Sequence, residues 1–499
     1  MSLRHALLAS FSLAALTSAA GAQTPPKAAP AFSASVAASA AHAALTGVPH
    51  TLAESLAMTY SNQPALQAER AKLRATDENL PQALSGWKPK VVLAGTTGYG
   101  DGLSRSYLVQ TNQTTGQPEG TNTKTRTDRL VGTAQATVTQ NIYTGGTTQA
   151  NVNKAKNQVY AERATLIAQE ETSFTNAVNA YVNVIQDQQL LALQINNEQV
   201  LAKQLQATND RFRVGEITRT DVAQAEAALE GARATRETAE GTLQTARGTF
   251  QQIIGVLPPP DLVEPQPLNL PVKSERDAAS LASINNPNVI TAAFNDAAAK
   301  DAVDAAFGAL LPQVSLQGQT FQQNNAALRN SAANGYEVTA QVSWQLYQGG
   351  AEYSTVRQAK QTQQQTSRLV DDAKRTAVQN AVQAWDTLVA AKAAADSTRA
   401  QIRANEIALE GVEREAIVGS RTTLDVLNAT QALLTSRTTL VQNLAQLITA
   451  SYGVAAAIGR LTARDLHLAV PLYDDTAYYQ AVKDRWVGLS DYATSQPGR

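Results

Sequence analysis

The chain has 499 residues, a formal net charge of -1 and no cysteine; aromatic residues make up 5% and hydrophobic residues 43%. That balance excludes a basic footprint for nucleic acid. The missing cysteines exclude disulfides, thiolate nucleophiles, Cys-bound metal and an acylated lipoprotein anchor.

In chain order, Arg4 gives residues 1–5 a short basic start, and Ala6 to Ala20 is apolar. Ala20-Gly21-Ala22 then has the small-residue form of a cleavage site, so residues 1–22 read as a secretory signal peptide. The apolar run is shorter than the ~20 residues of a spanning helix. Residues 23–50 are rich in Ala, Pro and Ser and read as a linker.

From residue 51 the sequence repeats itself. Pro64 and Pro287, and Pro89 and Pro312, lie 223 positions apart. Tyr143 and Tyr347, Gly215 and Gly419, Asp221 and Asp425, and Gly255 and Gly459 lie 204 apart. One unit therefore occurs twice, over 51–270 and 271–462, and the second copy lacks 19 residues between Pro312 and Tyr347. A tail, 463–499, follows.

Each copy opens with a helical stretch and continues with two strand-like runs. Tyr336, Val338, Ala340, Val342, Trp344 and Leu346 alternate with Glu337, Thr339, Gln341, Ser343 and Gln345. Such period-two alternation, with aromatics near the ends, suits a transmembrane β-strand. Leu130 to Ile142 repeats it more weakly, and Val91–Gly100 and Val314–Phe321 are the partner strands of hairpins 91–143 and 314–347. Thr111 to Thr127 reads as a long polar loop. Two half-buried hairpins of a soluble domain would show the same alternation, and the signal peptide favours the membrane. Four strands cannot close a barrel, and lipid forbids open edges, so several chains must share one barrel of eight, twelve or sixteen strands.

A Gly-Gly corner at Gly145-Gly146 or Gly349-Gly350 leads into very long helical stretches. Thr147 to Val214 contains no Gly or Pro, enough for a helix of about 100 Å. Its thin, Ala-rich apolar stripe is flanked by Gln and Thr, which fits a seam wetted on two sides. The stretches end at Val214-Gly215 and Val418-Gly419, where Gly suits a left-handed helix stop. Thr218 and Thr422 then stand three residues before Asp221 and Asp425, spaced as a capping box with Asp in place of Glu.

The run of NQP, LP, LYQGG, VGSRTTLDVLNAT and IGRLTARDL resembles the TolC family of outer-membrane efflux and type I secretion channels over about 51–465. The resemblance implies a mainly α fold, with a long helical barrel below four strands per chain that contribute to a twelve-stranded β-barrel. It implies a homotrimer in outer-membrane lipid, a periplasmic tunnel, and docking to a periplasmic adaptor and an inner-membrane transporter. It places the tail in an equatorial belt. It also assigns residues. Arg421 matches the family's linking arginine, with Thr220 and Asp221 as its partners, while the family's linking tyrosine falls on Ala416. Asp425 matches one pore-constriction acid, and Asn428 stands where a second would be. Val214, Gly215, Val418 and Gly419 match the tips that adaptors grip.

No enzyme motif is present: there is no G-x-S-x-G, Walker loop or HExxH. The expectation is a passive duct without catalytic residues, cofactor or metal. A periplasmic coiled-coil scaffold without a pore is the alternative reading.

Overall fold

The computed structural model describes residues 47–326 and 329–489. The signal peptide and most of the linker expected from the sequence lie outside the described residues.

Thr51 opens the first helix with a reciprocal capping box to Glu54. Helices α1 (Leu52–Asn62), α2 (Pro64–Asp77) and α3 (Asn79–Leu84) lead to strands β1 (Lys90–Thr111) and β2 (Pro118–Tyr143). Helix α4 (Thr147–Arg213) descends and α5 (Arg219–Ile254) returns. The order then recurs as α6 (Glu275–Asn285), α7 (Pro287–Gly308), β3 (Gln313–Asn324), β4 (Ala332–Ser343), α8 (Ala351–Ile417) and α9 (Thr423–Ala457), followed by a short α10 (Ala477–Val482). Helices α4 and α8 each have 67 residues, about 100 Å of continuous helix. Among the described residues no helix is long and apolar enough to cross a membrane.

The strands form one antiparallel sheet in the order β1-β2-β3-β4. Its register sorts the side chains. Leu93, Ala136, Thr320 and Tyr336 stand side by side on one face, as do Val91, Val138, Gly318 and Val338. The other face carries Thr96 and Thr133, whose hydroxyls bond at 2.6 Å, and the amide chain in which Gln135 donates to Gln319 and Gln319 to Glu337. The first hairpin differs from its sequence reading. Thr111 to Thr127 is not a loop for most of its length, because β1 and β2 pair without a break out to Thr111 and Pro118. Only residues 112–117 turn, with Asn112 Oδ1 accepting from Thr114 N and Gly116 at φ +66°. At the other end β4 stops at Ser343, and the Trp344 indole donates to Leu310 O.

The core lies among the helices. Tyr181, Phe174 and Phe250 are fully buried, and the Tyr181 hydroxyl sits between His50 O and Val263 O at 2.8 and 2.7 Å. These side chains pack α1, α4 and α5 together. A second cluster joins α6 to α8 and α9 through Ala278, Ala282, Ala377, Ala381, Val454 and Ile458. Lower down Leu201, Leu229 and Ala232 form a smaller buried cluster between α4 and α5. The tail packs on α2, α3 and the upper part of α4: Arg163 pairs with Asp475, and Tyr478 donates to Glu78. Along α5, Thr235, Thr238, Thr242, Thr245 and Thr249 each donate a hydroxyl proton to the carbonyl four residues back.

The joint between sheet and helices is tight. Gly145 stands at φ +64°, where an added Cβ would overlap Gly308 O and come within 2.9 Å of Leu311 Cβ. The matching Gly349 shares the positive φ, at +69°, but has open space around it.

Candidate functional site: sheet face and helix tips

Two features present exposed groups for contacts beyond the single chain. The first is the apolar sheet face. Leu93 is 80% exposed, Tyr99 70%, Tyr336 87% and Val338 66%. Leaving a large apolar side chain in water forfeits about 1.5–3 kcal/mol, so a contiguous face of this kind calls for lipid or a partner. Both outer strands, β1 and β4, also keep an unpaired edge within the chain.

The second is the pair of tips where the long helices turn. Both are built alike. After α4, Gly215 takes φ +81°, Gly215 N donates to Phe212 O and Glu216 N to Arg211 O. After α8, Gly419 takes φ +84°, Gly419 N donates to Ala416 O and Ser420 N to Glu415 O. Each is a Schellman stop, which needs a left-handed residue and satisfies the last carbonyls. Thr218 and Thr422 then cap α5 and α9 with the reciprocal boxes that their spacing predicts. Asp221 Oδ2 accepts from Thr218 N at 2.9 Å and Oγ1 at 2.7 Å. Asp425 Oδ2 accepts from Thr422 N at 2.9 Å and Oγ1 at 2.8 Å. Those bonds hold both carboxyls below the usual aspartate range: the Thr218 hydroxyl is the main cause at Asp221, and the Thr422 backbone N–H at Asp425. Both caps use Oδ2, and both carboxylates carry charge at neutral pH.

The remaining site residues fall as follows. Thr220 is exposed in the first turn of α5, and Asn428 is exposed one turn beyond Asp425 on α9. Val214 and Val418 are each 78% exposed at the apices, with Ile417 beside them. Ala416 is buried. Within the chain Arg421 does not meet Asp221. Its Nε donates to Glu415 Oε2 at 2.8 Å, inside the second tip. The first tip holds the reverse arrangement, with Arg211 donating to Glu216 at 2.7 Å. Glu415 and Glu216 were not singled out in the sequence. The signal was there: opposite charges stand five or six residues apart across a glycine stop.

A family model described as outer membrane efflux protein matches residues 56–256 and 278–460, most of the chain. The chain belongs to the outer membrane efflux protein family. It is 34% identical to outer membrane efflux protein BepC of Brucella suis over 440 residues, 88% of this chain and 92% of that protein. It is 24% identical to outer membrane protein TolC of Escherichia coli strain K12, over 83% of this chain and 84% of TolC. Its fold is similar to that of the outer membrane protein VceC from Vibrio cholerae, with a TM-score of 0.67 over 82% of this chain and 96% of VceC at 19% identity. Members of the outer membrane efflux protein family are channels rather than enzymes, which agrees with the missing catalytic motifs.

Proposed function

We propose that this chain is one protomer of a homotrimeric channel-tunnel, a passive exit duct anchored in the outer membrane and reaching through the periplasm. The observation that carries the reading is the four-stranded sheet. Its apolar face is exposed, its opposite face is polar and hydrogen-bonded, and its two edges are open. A lone open sheet is not viable in lipid, whereas three copies edge to edge close a twelve-stranded barrel. Six 67-residue helices would then hang below as the main staves of the tunnel. The repeats 51–270 and 271–462 each supply one hairpin and one helix pair, and the tail 463–499 contributes to a collar around the upper staves.

The tips form the periplasmic end. Three copies of Asp425 make a ring of negative charge at the constriction, with Asn428 as a neutral ring one turn away. Arg421 of the second tip latches to Asp221 and Thr220 of a neighbouring first tip in the closed state. The exposed Val214-Gly215 and Val418-Gly419 apices are where a periplasmic adaptor docks, coupling the duct to an inner-membrane transporter. BepC is named for efflux, and efflux of small molecules is the reading adopted; type I protein secretion uses the same architecture. No cofactor enters this mechanism.

Purified protein in planar bilayers tests it. The expected result is a heat-modifiable trimer with cation-preferring conductance, blocked by multivalent cations, and loss of that block in Asp425→Ala. A monomer without conductance would leave the alternative of a periplasmic scaffold.

A further inference from the structure

The first hairpin outruns the second. Gly132 pairs with Asn324, the last residue of β3, but β1 and β2 continue from there to Thr111 and Pro118 as a two-stranded ribbon. The register is unbroken, so one face of the ribbon continues the apolar face of the sheet. On that face Tyr99 pairs with Leu130, then Asp101 with Asp128, Leu103 with Arg126, and Arg105 with Lys124. The ribbon thus places two like-charged pairs directly opposite one another, an arrangement that costs stability.

The two pairs are treated differently. The acids are neutralised: Arg126 grips Asp101 through Nε at 3.0 Å and Nη2 at 2.6 Å, and Arg329 reaches Asp128 at 3.2 Å. The basic pair is not. Among the described residues neither Arg105 nor Lys124 has a carboxylate partner, and both are exposed. Glu119, the acid nearer the turn, alternates onto the opposite face and faces Asn112. Tyr107, the next residue on the same face of β1, lies over Gly120 toward the turn. The basic pair is left unshielded.

We propose that Arg105 and Lys124 bind a phosphate-bearing glycolipid headgroup of the outer leaflet, one site per protomer. This rests on the reading of the sheet as a membrane barrel with its ribbon outward. Two observations select the ligand. The site has unspent positive charge, which calls for an anion. It also continues the lipid-facing side of the sheet, beyond Tyr99-Leu130, the last wholly apolar pair before the charges begin. Arg105 is six residues past Tyr99, about 20 Å along the strand and roughly 15 Å in height at a typical strand tilt. An ordinary phospholipid headgroup layer is only about 5–8 Å deep. Phosphates raised on sugars reach higher, and an arginine and a lysine can reach back toward them.

Native mass spectrometry of the detergent-solubilised trimer tests the site, with a glycolipid whose core sugars above the acylated disaccharide carry phosphate, the same glycolipid without those core phosphates, and inorganic phosphate as probes. Wild type should bind the core-phosphorylated glycolipid up to one per protomer. R105Q/K124Q should bind it about 30-fold more weakly, at the usual contribution of each basic residue near an anionic surface. The glycolipid without core phosphates should bind wild type as weakly as the core-phosphorylated one binds the variant. Equal affinity of wild type and variant would overturn the proposal. Inorganic phosphate displacing the lipid at equal concentration would also overturn it, by showing a free-anion site. The variant removes a repulsion, so it should still form a conducting, heat-modifiable trimer in outer-membrane fractions. Absence of both proteins from those fractions would instead overturn the channel reading itself.

Discussion

In its last turn the first long helix carries an arginine at 211; at the matching position, 415, the second carries a glutamate. Across the glycine the signs reverse again, with Glu216 in one tip and Arg421 in the other. The backbones around these residues are nevertheless the same, down to the Schellman bonds and the capping boxes. The residues that dictate backbone geometry, Gly, Thr and Asp, recur in both copies because each turn has one workable solution. The ion pairs sit on wet surfaces where several solutions serve, and there the copies have diverged. The duplicated fold therefore presents unlike tips on like scaffolds.

The corners offer the sharpest way to break this comparison. Gly145→Ala must place a Cβ against Gly308 O and hold a positive φ, whereas Gly349→Ala meets only the φ penalty. We expect Gly145→Ala to cost about 3 kcal/mol or more and Gly349→Ala about 1 kcal/mol. Thermal melts of the purified protein in detergent would show the difference, and equal losses would mean that the two corners are not packed differently.

A buried carboxyl comes next. Burial pushes Glu171 up to about 8, only partly opposed by the Leu461 N–H, while the counterpart Arg375 is exposed. The neighbouring Glu170, also raised mainly by burial, accepts from Ala463 N, and Asp465 adds negative charge nearby. With the native value above the unfolded one, the folded state holds a proton that the unfolded state has lost. Glu171 thus favours folding below its unfolded value of about 4.5, and its contribution falls as pH rises toward 8, by up to about 1.4 kcal/mol per pH unit. Glu171→Gln should flatten that slope, so its melting temperature should gain on wild type at pH 8 relative to pH 5. Arg375→Gln should leave the slope unchanged.

The capping boxes should respond alike. Thr218→Ala and Thr422→Ala each remove a cap and should cost about 1 kcal/mol, read as faster hydrogen exchange in the first turns of α5 and α9. A large difference between them would show that the matching backbones are not energetically equivalent.

The smallest energies belong to the ion pairs. Arg421→Ser should raise channel conductance by weakening a latch that water screens heavily. Asp221→Ala should do the same, with little added by combining the two. Glu415→Gln sharpens the test, because freeing Arg421 from its own tip should favour the latch and lower conductance. Additive effects of Arg421→Ser and Asp221→Ala would separate the residues and end the latch proposal.

Much of this was legible in the sequence because local rules acted alone. The helix lengths, the Gly-Gly corners, the glycine stops and the Thr-x-x-Asp boxes follow from backbone sterics within a few residues. The ribbon was not legible. Gly, Pro and Asn between Gly102 and Asp128 have weak strand preference, and only the long pairing register makes the stretch a ribbon. The sign reversal at the tips was missed for a related reason: Arg211 with Glu216 and Glu415 with Arg421 meet only once the stop has folded the chain back.

The five threonines of α5, at 235, 238, 242, 245 and 249, follow a three-four spacing and form one exposed stripe. Each hydroxyl proton is already given to the helix's own carbonyl. A solute drifting past such a stripe meets methyl groups and oxygens with few protons to offer it. Under the proposed channel reading, such a stripe turned to the lumen would be wetted yet grip poorly, a low-friction lining for chemically varied traffic. The same back-bonding tends to bend a helix.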